Sequence, residues 1–279
     1  MDYKNIESKI FESLAIEQAY EKARLVLKKQ AIQMDNFRDL YGDESVEKDK
    51  KYVKKMEEIF SKDKNPEGEE AEKLAKVFEV IFYEQAELNE WLGSNVSTII
   101  SSRYDDIKSG VDSIAEFRES DTSASYLALA VDVTTGGQMV KKFMRIKKEI
   151  TEGKLVKIKY FASEHMGIRG ELSRVPRAVV GVSAATVKEI SELWLERKNK
   201  ELSQHAIQFQ ILEEIVQQLE IFQKYAESVN QPALASIYKK TYNLVEKIYQ
   251  GKKESIKDSD NRDDVFYNIK SIVQSLFRA

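Results

Sequence analysis

Residues 126 to 134 alternate without a break, with Leu127, Leu129, Val131 and Val133 along one side and Tyr126, Ala128, Ala130, Asp132 and Thr134 along the other. Side chains that change sides at every residue define a strand, so this segment belongs in a sheet whose aliphatic face is covered. A second alternating segment, 111 to 117, sets Val111, Ala115 and Phe117 against Asp112, Ile114 and Glu116; the polar stretch Glu119 to Ser123 between the two reads as a hairpin connection. Each strand thus carries an aspartate, Asp112 or Asp132, in an otherwise apolar run. A carboxylate there is costly unless a cation, a set of hydrogen bonds or a metal ion compensates it. Paired as a hairpin, the strands bring both aspartates to one surface, and Ala128 and Ala130 leave room beside them.

Composition narrows the metal option. The chain has no cysteine, which excludes disulfides, thiolate nucleophiles and Cys-based zinc sites, and its two histidines, His165 and His205, share no ligand spacing. Metal chemistry must then rest on oxygen ligands, which favours Mg, Mn or Ca over Zn. The 33% charged fraction and the lack of any apolar run near eighteen residues argue against a membrane span. Met1 is followed by a charged amphipathic stretch instead of a secretory leader, so a cytoplasmic location is expected. Net charge is -3, yet residues 138 to 179 hold eleven cations and four acids. A polyanion would be drawn to that segment, because the local field decides where it sits.

Around the strands the period is helical. Residues 2 to 40 read as helix, 43 to 73 as a solvated helix followed by a loop broken at Asn65-Pro66-Glu67-Gly68, and Leu74, Val77, Ile81, Leu88 and Leu92 as an amphipathic helix over 69 to 92. Met139, Phe143, Ile146 and Ile150 mark a helix after Gly136-Gly137, and Leu155 to Phe161 and Pro176 to Ser183 read as two more strands. Helical stripes resume at 187 to 194 and 207 to 222, with further helices at about 232 to 250 and 263 to 277. These spacings predict an α/β fold: a small mixed sheet in a core over 69 to 183, an N-terminal helical extension over 1 to 68 and a C-terminal helical region over 184 to 279.

Gly110-Val111-Asp112 and Asp132-Val133-Thr134 resemble the two motifs of the PD-(D/E)XK, or restriction-endonuclease-like, nuclease superfamily. That core runs helix, strand hairpin, helix and further strand, with one Asp on the second strand and an (Asp/Glu)-X-Lys tripeptide on the third. The second motif is degenerate, because Thr134 stands where the family has lysine. Some members supply the lysine from the following helix; here Lys142, four residues after Gln138, is the first choice and Lys141 the second.

The resemblance implies Mg- or Mn-dependent phosphodiester hydrolysis, with DNA as the expected partner. Asp112, Asp132 and Lys142 would be catalytic, and Glu84 on the preceding helix or Glu116 would complete a metal shell with the two aspartates. Lys141, Arg145, Lys147 and Lys148, with Arg103 from the run before the first strand, would contact nucleic acid through its backbone. Two other readings stand beside this one: a nuclease-like module without catalysis that binds nucleic acid or a protein, and a helical structural protein that forms homo-oligomers through its C-terminal stripes. A strand aspartate can also pair simply with Arg103 or Arg145, Glu84 can reach solvent at a helix boundary, and helix lysines are commonly a solvated face.

Overall fold

The computed structural model describes residues 3–62, 66–132, 137–255 and 262–278, apart from the side chains of 3–13, 131, 132, 137, 138 and 255. Helix α1 (Tyr3–Gln30) is followed by a 3-10 turn (Met34–Phe37), α2 (Arg38–Tyr41), α3 (Asp43–Lys62) and α4 (Pro66–Leu88). The sequence assigned Pro66 to a loop, but it opens α4, where its missing N–H costs nothing and Glu67 and Glu69 favour the positive helix end. The core helix thus begins earlier than its apolar stripe.

A four-stranded mixed sheet follows. Strands β1 (Val96–Ile100), β2 (Ser113–Ser120) and β3 (Ser123–Asp132) form an antiparallel meander, and β2 and β3 make the expected hairpin through Asp121 and Thr122. Helix α6 (Gly137–Thr151) then crosses over so that β6 (Arg177–Gly181) lies parallel to β3, giving the order β1-β2-β3-β6. Between α6 and β6 the chain makes a separate two-stranded ribbon, β4 (Val156–Ser163) and β5 (Ile168–Val175). Neither β1 nor β5 was anticipated from the sequence. Strand β1 is largely buried on both sides and so lacks alternation, while β5 is mostly exposed and polar.

Between β1 and β2 lies a short helix, α5 (Arg103–Ser109), whose ends are fixed by local chemistry. The Ser102 hydroxyl accepts the Asp105 N–H at its start, and Gly110, at φ 63°, takes the left-handed turn that stops it. Asp112 follows at a bend, where its N–H donates to the Leu129 carbonyl.

Helices α7 (Ala184–Leu195), α8 (Asn199–Ser203), α9 (Ile207–Ser228), α10 (Pro232–Ser255) and α11 (Asp264–Leu276) complete the chain. Ile207, Ile211, Ile215, Leu219 and Phe222 of α9 and Trp194 of α7 are buried in the main core, together with Phe78, Ile81, Phe82, Leu127, Leu129 and Val179. The apolar stripes at 187–194 and 207–222 are therefore packed into the chain's own interior. Among the described residues no helix is long and apolar enough to cross a membrane.

Candidate active site

The cleft that contains Asp112 has a volume of about 600 Å³ and is walled by the C-terminal half of α1, α4, the end of β1 and α5. Glu79 of α4 reaches into it, buried at 5% exposure. Its apolar neighbours Val77, Phe78, Val80, Ile81 and Phe82 are all buried, so the helix is embedded here and the carboxylate emerges only where the cleft opens. Lys76 Nζ lies 3.0 Å from Glu79 and 3.7 Å from Asp106, and Asp106 also accepts from Arg103, whose Nε is 2.8 Å from Glu57.

The electrostatics of this cluster are strained. Burial, reinforced by the charges of Asp112 and Asp106, pushes the Glu79 carboxyl up to about 7 even though Lys76 pulls the other way. Burial also disfavours charge on Lys76, but Glu79, Asp106 and Asp112 outweigh it and raise its pKa. Glu79 and Asp112 thus feel each other's charge across a partly water-excluded space, an arrangement concentrated at functional sites.

The other predicted residues are distributed unevenly. Glu84, expected beside Asp112, accepts the Trp194 indole N–H at 2.6 Å in the contact between α4 and α7, where Lys22 Nζ sits 3.6 Å above the Trp194 ring. Five residues separate Glu84 from Glu79, about 140° around a helix, so only one of them can face the cleft. Glu116, expected on the same face as Asp112, lines a different cavity. The bend at Asp112 interrupts the alternation: Val111 joins Ile114 in one cluster, while Ala115 and Phe117 join the other.

Asp132 ends β3, its backbone paired with Gly181 and three residues beyond the Leu129 that Asp112 bonds. Its side chain, that of Gln138 and the whole of Thr134 lie outside the described residues. Lys142 is half-buried on α6, one turn before Arg145, whose guanidinium donates to the Lys108 carbonyl at 3.0 Å, two residues short of Gly110. The start of α6 therefore borders the loop that carries Asp112.

The basic segment is not one continuous stripe. Lys147 donates to the Leu276 carbonyl, Lys154 and Lys157 pair with Glu152 and Glu171, and Arg169 clasps Asp39. Lys159 is enclosed by Tyr41, Tyr104 and Tyr160 and bonded to Asp49, and Arg177 is buried against Glu149. What faces water on α6 is Lys141, Arg145 and Lys148. Arg103 is committed to Glu57 and Asp106 but also lines the cleft.

Two cleft residues were missed from the sequence, Glu79 and Lys76. The signal for Glu79 was there, because it interrupts an apolar run just as Asp112 and Asp132 do. Among the described residues no three Asp, Glu or His side chains gather into a metal-binding group. The described donors are the oxygens of Glu79 and Asp112, a hard set suited to Mg or Mn, and Mg commonly takes only one or two protein carboxylates and fills the rest of its octahedron with water. The chain matches no family model, no curated protein and no solved structure.

Proposed function

We propose that this chain is a metal-dependent nuclease-like protein that hydrolyses phosphodiester bonds in DNA at the cleft floored by Glu79 and Asp112. The element order supports the reading: a helix, a three-stranded meander interrupted by α5, a crossing helix and, after the β4–β5 ribbon, a parallel strand, with Asp112 just before the second strand and Asp132 at the end of the third. The observation that carries it is the buried Glu79 carboxyl lining the same cleft as Asp112 and Asp106, raised above the ordinary carboxylate range by burial first and by those two charges next, a cost that a divalent cation would relieve. Glu79 and Asp112 would hold that ion, with Asp132 as a third ligand. When bound, it would acidify a water and neutralise charge developing on the phosphate.

The chain's own groups supply the remainder. Arg103 and Lys76 place positive charge on the cleft wall, where a scissile phosphate would meet it, and the low-dielectric floor strengthens that attraction. Lys142, on the helix bordering the Asp112 loop, takes the role of the missing motif lysine and orients the attacking water. Lys141, Arg145 and Lys148 track the backbone outside the cleft.

Cleavage of plasmid and single-stranded DNA with Mg or Mn, and its loss in EDTA, tests the proposal. Glu79→Gln and Asp112→Asn should each lower the rate about 100-fold or more while the protein stays folded, in line with removal of one electrostatic participant. Full activity in both variants overturns it. The Lys76 ammonium, already satisfying Glu79 and Asp106, favours a second reading in which the module binds DNA without cutting it. Salt-sensitive binding with no metal-dependent cleavage would decide for that one.

A further inference from the structure

A second cavity, of about 610 Å³, adjoins the cleft and shares with it the segment Ala31 to Gln33 and Ile100. On its floor lies Glu116, fully buried in the middle of the sheet. The strand register sets Ser97 directly opposite it on β1 and Tyr126 directly opposite on β3, so three polar side chains form one row across three strands. Among the described residues neither Glu116 oxygen, nor the Ser97 hydroxyl, nor the Tyr126 hydroxyl has a hydrogen-bond partner. Tyr126 feels the neighbouring charge, which together with the larger effect of burial pushes its phenol up to about 12, but the pair does not close a bond of normal geometry. Buried polar groups are nearly always satisfied, and within this row Glu116 and Ser97, both without a partner, line a cavity of ligand size that an occupant could fill.

The chemistry of the row selects that occupant. A carboxylate is best matched by two donors held side by side in one plane. The row offers a cation a single carboxylate, fewer than the Glu79–Asp112 pair that lines the neighbouring cleft. The cavity walls are instead partly apolar, from Ile99, Ile100 and Phe37, with Arg169 stacked over the Phe37 ring at 5.1 Å. Partly apolar walls beside a carboxylate suit a heterocycle that carries N–H donors on one edge. Among the nucleobases only guanine presents two adjacent N–H donors, N1–H and the 2-amino group, on one edge; adenine and cytosine pair a donor with an acceptor, and thymine offers a single donor.

We propose that this cavity is a guanine pocket, in which Glu116 accepts both donors of the base edge while the neighbouring phosphate enters the Glu79–Asp112 cleft. The placement of the phosphate rests on the nuclease reading above, whereas the base recognition does not. Lys29 lines the cavity and supplies positive charge near a nucleotide seated there, while Arg169, also in the lining, is paired with Asp39, and Glu87 and Glu164 add negative charge to the wall.

Titration of the full chain with guanosine 5′-monophosphate, adenosine 5′-monophosphate and cytidine 5′-monophosphate, followed by calorimetry, tests the pocket without any cleavage. Guanosine monophosphate should bind at least tenfold more tightly than the other two, and Glu116→Gln should abolish that preference while Asp112→Asn keeps it. Should Glu116→Gln fail to fold, inosine 5′-monophosphate on the unaltered protein decides, since it lacks the 2-amino group and should bind about tenfold more weakly than guanosine monophosphate. Equal binding of all four nucleotides, or binding of none, overturns the pocket and leaves a water-filled cavity. Guanine-selective binding in a protein that never cleaves DNA would sustain the pocket and count against the nuclease reading. Cleavage that depends on Glu79 and Asp112 without guanine selectivity would do the reverse.

Discussion

Single carboxylates in this protein behave according to what surrounds them, and Glu214 shows the effect most plainly. It is buried in α9, accepting the Gly181 N–H at 2.9 Å and the Gln210 amide at 3.3 Å. Burial still raises its pKa well above the ordinary carboxylate value, with the nearby Asp263 charge adding to it and the Gly181 bond opposing it. Because the folded value exceeds the unfolded one of 4.5, protonated Glu214 stabilises the fold fully below about pH 4.5, and that contribution is lost as pH rises through the folded value. Each unit of elevation corresponds to about 1.4 kcal/mol. Glu214→Gln keeps a carbonyl for Gly181 and removes the buried charge, so its thermal midpoint should exceed that of the unaltered protein at pH 8 and match it at pH 4.5. A midpoint below the unaltered protein at pH 8 would contradict this assignment. Glu79 shares the burial but not the partners: its neighbours are two other acids and a lysine in an open cleft, which is why it is read as a site and Glu214 as a structural group.

At the scale of elements, the ribbon and the C-terminal helices are held by contacts that can be cut one at a time. Asp105 of α5, buried and capped by Ser102, accepts the N–H groups of Lys159 and Tyr160 on β4 at 2.8 and 2.9 Å. Asp105→Ala leaves two strand donors without a partner, and should cost about 2 to 3 kcal/mol in urea unfolding, with faster proteolysis in the β4–β5 ribbon than elsewhere. Gly181 ends β6 beneath α11, where an added Cβ would come within 2.5 Å of Ile269 Cδ1 and 2.6 Å of Val265 Cγ1. Gly181→Ala should therefore destabilise by about 1 to 3 kcal/mol through overpacking, and trimming Ile269 to Val in the same chain should restore part of that stability. An alanine variant as stable as the unaltered protein would show that α11 is free to shift.

Across the whole molecule, charge is sorted between structure and surface. Of the basic segment, Lys147, Lys159, Arg169 and Arg177 are tied into the fold, while Lys141 and Lys148 stand in solvent on α6. Replacing Lys141 and Lys148 by Gln should lower the slope of log affinity for DNA against log salt by about one for each phosphate no longer neutralised, with unchanged stability. Lys147→Gln should instead lower the thermal midpoint. The alternation read at 111 to 117 and 126 to 134 and the helical stripes before and after it were legible in the sequence, because periodicity is a local property of the chain, whereas β1, α5 and β5 were not. Asp112 was read as a carboxylate inside a strand, yet it sits half-buried at a bend just before β2; the same reasoning applied to the apolar run around Glu79 would have singled out a carboxylate that is buried. What sequence could not show was company. Glu79, not Glu84, meets Asp112 because the turn of α4 puts one on the cleft side and the other against Trp194. Glu116 parts from Asp112 because a bend, invisible in the alternation, separates their sides. Local sequence determines the direction a side chain takes from its own element; only the docking of elements distant along the chain determines which side chains share a space, and it is in shared, water-poor space that charges act on one another.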